Sequence, residues 1–272
     1  MRGRSMLGGA ASAVAAILLV SSAAPAVAAE PIGQWKLEPS DARCVAVRQY
    51  GTADKPITLA LKVPAEGNAV QLAILRTGFR TAYLQTVSSV EIDGRKFPTS
   101  ALSYPTGGDN RRVTHLINLD TEPAAALRGA KTLKVDVYKG VKESFQLEPS
   151  IAVWRDLQDC VARLRETWNV GEERESRFAT PGKGDLQSLF SPEDYPLAAS
   201  KELQQGTTGF LILIDEHGVP KDCTVIVSSG AAILDSRSCG VILARAKFSP
   251  AIGHDGVPMK SAFTKRVTWR FQ

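Results

Sequence analysis

The hydrophobic pattern of the chain changes period part-way along. Between residues 30 and about 148, short apolar runs alternate with turn residues. Ile57, Leu59, Leu61 and Val63 alternate with Thr58, Ala60 and Lys62, a period of two that predicts a half-buried strand. Pro64 and the turn Glu66-Gly67-Asn68 end it. Similar runs predict strands over 43–49, 69–76, 87–92, 113–119 and 133–138. Asp93-Gly94 marks a hairpin that returns through Lys96-Phe97. A short helix is expected over 122–128, with Asp120 or Thr121 as its cap and Pro123 in its first turn. From Pro149 the spacing becomes helical. Trp154, Leu157, Val161, Leu164 and Trp168 step by three or four, which predicts an amphipathic helix with Ser150 as N-cap.

After this helix the stretch 169–184 is polar and ends in Pro181-Gly182-Lys183-Gly184, which predicts a linker. Thr208 to Ile214 is then almost continuously apolar, as expected of a central strand buried on both faces. Asp215-Glu216-His217-Gly218 turns the chain into a second strand over 222–227. A helix is expected over 231–247 and a last strand over 262–271. In that last strand Phe263, Val267, Trp269 and Phe271 share one face with Lys265, while Thr264, Arg266, Thr268 and Arg270 lie on the other. The expected fold class is α+β. A β-rich domain over 30–168, closed by its amphipathic helix, precedes a small domain over 185–272.

Residues 1–29 read as a targeting segment rather than as part of the fold. Arg2 and Arg4 precede an apolar, Ala-rich stretch, and Pro25 is followed by Ala26-Val27-Ala28, the small-x-small pattern of a signal-peptide cleavage site. Cleavage is expected after Ala28 or Ala29, placing the mature protein in the periplasm. The competing reading keeps the segment as an inner-membrane anchor, since 5–29 is uncharged and long enough to span.

Composition narrows the function classes. The 272 residues suit two domains of ordinary size. Loss of Arg2 and Arg4 lowers the formal charge of +5 by two, to +3. A chain so nearly neutral, with no basic stripe, is not expected to bind nucleic acid. Four cysteines, Cys44, Cys160, Cys223 and Cys239, imply two disulfides in an exported protein and allow three connectivities. The domain division favours Cys44–Cys160 and Cys223–Cys239. The three histidines, His115, His217 and His254, are widely separated and are expected to be exposed and non-catalytic. No metal-ligand spacing, nucleophile elbow or cofactor motif appears, and Asp109-Asn110 after Gly107-Gly108 reads as a polar loop. Trp154 and Trp168 fall on the apolar helical stripe, so core packing is the better reading for them.

The ordered words of the last 78 or so residues resemble the C-terminal domain of the TonB family. They are Tyr195-Pro196, the strand from Gly209, Gly218-Val219-Pro220 and Val225-Ile226-Val227-Ser228-Ser229-Gly230. Leu234-Asp235, Phe248-Ser249-Pro250-Ala251, Gly256-Val257-Pro258 and an aromatic last strand follow. The likeness covers about 190 to 272; residues 30–168 resemble no family we recognise. It implies a three-stranded antiparallel sheet with helices on one face, and partner binding rather than catalysis. In the family the last strand is an edge that pairs with the extended TonB box of outer-membrane receptors. Carried over, the docking strand is Ala262, Phe263, Thr264, Lys265, Arg266, Val267, Thr268, Trp269 and Arg270. The partner is then an outer-membrane receptor or another envelope protein, with no cofactor, metal or small-molecule ligand. Monomer and strand-exchanged homodimer both stay open. Two departures weigh against force transduction: the N-terminal segment has no His, and a folded β-rich domain stands where transducers carry a Pro-rich spacer.

Overall fold

The computed structural model describes residues 1, 28–38, 40–78, 83–106, 112–148, 150–186 and 188–271. The expected targeting segment and the Gly107–Asn110 loop fall almost wholly outside these residues, as does the side chain of the expected cap Ser150.

Nine strands build the N-terminal region. They are β1 (Pro31–Leu37), β2 (Cys44–Thr52), β3 (Lys55–Val63), β4 (Val70–Thr77), β5 (Leu84–Ile92), β6 (Arg95–Thr106), β7 (Arg112–Leu119), β8 (Thr132–Val137) and β9 (Lys142–Gln146). Their order in one antiparallel sheet is β1-β2-β3-β4-β7-β6-β5-β8-β9. The sheet curls until its ends meet. Ala29, just before β1, bridges Phe145 of β9, and its amide donates to the Ser144 carbonyl at 2.7 Å. Tyr50 Oη donates to the Gln146 carbonyl at 2.9 Å, and Arg48 Nη1 to that of Glu148 at 2.8 Å. Alternation along the strands sends Leu59, Leu61, Leu72, Ile74, Ile92, Ile117 and Phe145 into one core, all essentially without exposure.

Helix α1 (Thr121–Leu127) joins β7 to β8. Asp120 is its N-cap residue, but its carboxylate makes no capping bond and accepts from the Ser228 amide at 3.1 Å instead. Helix α2 (Ser150–Thr167) packs on β1 and β2. Trp154, Leu157, Leu164 and, just past the helix, Trp168 enter the same core, and a Cys44–Cys160 disulfide (Cα–Cα 5.8 Å) fastens α2 to β2.

The stretch expected as a linker holds α3 (Glu172–Glu175) and β10 (Phe178–Thr180). Then come α4 (Leu197–Lys201), β11 (Gly206–Ile214), β12 (Pro220–Val227), α5 (Ala232–Arg245), β13 (Ala251–Gly253), β14 (Pro258–Met259) and β15 (Ser261–Trp269). β10, β13 and β14 form a minor sheet, and the principal C-terminal sheet has the order β12-β11-β15, antiparallel throughout. Gly218 sits in the β11–β12 turn at φ 78°, where a Cβ would lie 1.8 Å from the Phe248 carbonyl oxygen, so only glycine fits.

The periodicity of β11 explains how the regions join. Phe210, Ile212 and Ile214 face Ile242 of α5 and Phe248, while Leu211 and Leu213 face the core of the N-terminal region. The small sheet therefore has a helix on one face and the nine-stranded sheet on the other. Full burial of each such leucine contributes roughly 1.5–3 kcal/mol.

Candidate functional site

The site is built on β15. Nine consecutive residue pairs, from Gly206↔Trp269 to Ile214↔Ser261, bind it to β11 without a register shift. Its other side carries no strand among the described residues. The turn after β11 shows which backbone groups are spent. Asp215 donates its amide to Val219 on the β12 side, at 3.0 Å. Because successive residues of a strand point their amide and carbonyl groups to opposite neighbours, Ile214, Ile212, Phe210 and Thr208 turn theirs toward β15. Their partners Ser261, Phe263, Lys265 and Val267 are spent on β11. Ala262, Thr264, Arg266 and Thr268 are left to present theirs outward.

The side chains divide by face. Phe263 stacks on Phe248 with ring centroids 5.4 Å apart. Trp269 is buried beside Phe190 and Tyr195, at 5.6 and 5.5 Å, and its Nε1–H donates to Ser238 Oγ at 3.0 Å. It thus holds β15 to α5. On the other face Ala262 packs against the N-terminal core, Thr264 Oγ1 donates to Glu66 at 3.1 Å, and Thr268 meets Thr207 at 3.0 Å. Lys265 and Arg266 are exposed and form no ion pair among the described residues. Such charges on an edge discourage indiscriminate pairing.

A disulfide and two buried carboxylates fix α5 and the strands behind this edge. A Cys223–Cys239 disulfide (Cα–Cα 5.4 Å) ties β12 to α5. Asp194, 1% exposed, accepts from Arg237 at 2.5 Å and Arg245 at 2.8 Å. Burial alone pushes the Asp194 carboxyl up, but the Ser191 amide and Arg245 and Arg237 outweigh it and hold it below the usual carboxylate range. Asp235, fully buried, accepts from Thr208 Oγ1 at 2.8 Å, Ser228 Oγ at 2.6 Å, the Ser229 amide at 2.8 Å and Asn118 of β7 at 3.0 Å.

His115 corrects the expectation of exposed histidines. It lies on β7 at 1% exposure, with Nδ1 2.7 Å from Ser103 Oγ and Nε2 accepting from Arg76 Nε at 3.4 Å. Ser103 is equally buried, so the pair is closed off from solvent. His217 and His254 are exposed. No group of three His, Cys, Asp or Glu residues suited to a metal occurs among the described residues.

Residues 191–272, the segment containing β11, β12, α5 and β15, match the family described as Gram-negative bacterial TonB protein C-terminal. This segment is a TonB C-terminal domain. The family is a non-enzymatic protein-interaction domain of envelope-associated proteins. No curated protein and no solved structure matches the chain. No helix among the described residues is long and apolar enough to cross a membrane. The TonB C-terminal domain thus accounts for the edge strand, while the β-rich region that covers its second face lies outside the match.

Proposed function

We propose that the protein grips an extended segment of another cell-envelope protein by β-augmentation along β15, with the β-rich region as its rigid mount. One observation carries this reading: a nine-residue strand in unbroken register with β11, whose outer backbone groups meet no strand among the described residues. Export with cleavage after Ala28 fits the same picture. Ala29, which cleavage after Ala28 would make the new N-terminus, donates its amide to the Ser144 carbonyl. Mass spectrometry of the mature chain tests the cleavage; a retained Met1 contradicts it.

The edge is tested with Arg266→Pro. The substitution deletes an outward donor and leaves the β11 ladder intact, which an edge strand tolerates. Proline at Val267 instead removes a bond to β11 and weakens the sheet. The folded Arg266→Pro protein should lose binding of a synthetic extended peptide of alternating Thr and Val. Normal binding by that folded variant overturns the edge reading.

A further inference from the structure

The first half of β15 does not face open solvent. Ser261 to Lys265, five consecutive residues, line a cavity of about 390 Å³. Side chains of neighbouring residues point to opposite faces, so a cavity that touches all five runs along the backbone edge. The facing wall comes from outside β15: Glu66 from the turn after β3, Glu172 and Glu175 of α3, and Phe178 of β10. The volume lies within the roughly 300–1,000 Å³ of ligand sites.

Two independent observations indicate what enters it. Glu66, Glu172 and Glu175 form no ion pair among the described residues, although the nearby Glu166 and Glu173 are paired with arginines. Lys265, at the far end of the stretch, is the one cation among the described residues of the lining. Separately, Ser261 is 2% exposed and its Oγ has no hydrogen-bond partner among the described residues. A buried hydroxyl without a partner is costly and uncommon.

We propose that this cavity receives a Lys or Arg side chain from the extended segment docked on β15. The proposal rests on the edge-pairing reading and adds the charge that the partner must carry and the place along the strand where it sits. The cation donates to the three carboxylates, and Ser261 Oγ hydrogen-bonds the polar part of the segment. Beyond the cavity Arg266 is exposed and unpaired, so a second cation there is repelled. Charge thus fixes the direction of the docked strand. The β-rich region and α3 supply the selectivity, and the TonB C-terminal domain supplies the backbone edge.

The test uses the full mature protein and two synthetic peptides of alternating Thr and Val, identical except for one terminal Lys or one terminal Glu. Binding is read by fluorescence anisotropy at low and high salt. The Lys peptide should bind about tenfold tighter at low salt, as three partly screened charge pairs allow. Replacing Glu66→Gln, Glu172→Gln and Glu175→Gln together should abolish the preference while the Glu peptide keeps or gains affinity. Ser261→Ala should weaken both peptides. If both bind equally, or the preference survives the triple change, the proposal is overturned and edge pairing stands. If neither binds, edge pairing itself fails. If the protein sediments as a dimer that no peptide dissociates, a second copy occupies the edge and the proposal falls.

Discussion

Lys62 of β3 and Asp222 of β12 form an ion pair across the two regions, with Nζ 2.8 Å from Oδ2 and side chains only 15% and 9% exposed. Burial pushes the Lys62 ammonium pKa down, and Asp222 partly restores it. Thr224 Oγ1 also donates to Asp222, at 2.6 Å. Removing Lys62 leaves the buried Asp222 carboxylate with Thr224 and, at 4.0 Å, the exposed Arg43 in place of a close cation. Lys62→Met should therefore cost about 3 kcal/mol in urea unfolding, near the lower end for broken buried pairs. Adding Asp222→Asn should recover more than ~1 kcal/mol of that loss. Strict additivity would show that the pair does not couple the regions.

The N-cap residue of helix α5 is Ala231, which has no side-chain acceptor for a cap. The β-rich region supplies what is missing. The Ala232 amide donates to Ser100 Oγ at 3.1 Å and the Ile233 amide to Gln85 Oε1 at 2.7 Å. Gln85→Ala and Ser100→Ala should each destabilise the protein by about 1 kcal/mol, the usual cost of a lost cap. Thermal unfolding measures this, and an unchanged midpoint contradicts it.

The two disulfides should differ in weight. Cys44–Cys160 spans 116 residues of sequence and Cys223–Cys239 spans 16. Loop-closure entropy assigns them about 4.7 and 3 kcal/mol respectively. Paired Cys→Ala variants, melted without reductant, should show the larger loss for Cys44–Cys160. The reverse ranking would mean that local packing, rather than chain entropy, sets their contribution.

Asp194 gives the acid limb of stability. Its carboxyl is held below the ordinary range when folded, so the unfolded chain binds the proton more readily. The contribution is fully present above the unfolded value of about 3.9 and is lost as pH falls through the lower folded value. Stability measured from about pH 5 downward should fall more gently in Asp194→Asn than in the parent. Parallel acid limbs contradict the assignment.

Much of the element list is legible in the sequence because burial imposes its period. The stripe Trp154–Trp168 becomes α2, and the unbroken run to Ile214 becomes a strand covered on both faces. The sheet order is not legible. β4 pairs with β7 and β5 with β8, and a period of two says which face is buried without naming the neighbour. His115 reads as an ordinary strand residue; only the pairing of β7 between β4 and β6 brings Arg76 and Ser103 to it. Glu66, Glu172 and Glu175 look like solvated charges in turn and linker, since nothing local shows that tertiary packing sets them along β15. Trp269 is legible as an aromatic on an edge strand, but its direction depends on which face α5 covers.

Amide hydrogen exchange on the free protein, read residue by residue, tests the central claim without any partner. The amides of Ala262, Thr264, Arg266 and Thr268 should exchange fast, while those of Phe263, Lys265 and Val267, spent on β11, should be protected. On addition of the Lys-bearing peptide the first four should slow together. Uniform protection along β15 before any peptide is added would mean that the edge is already occupied, and the docking account would fail.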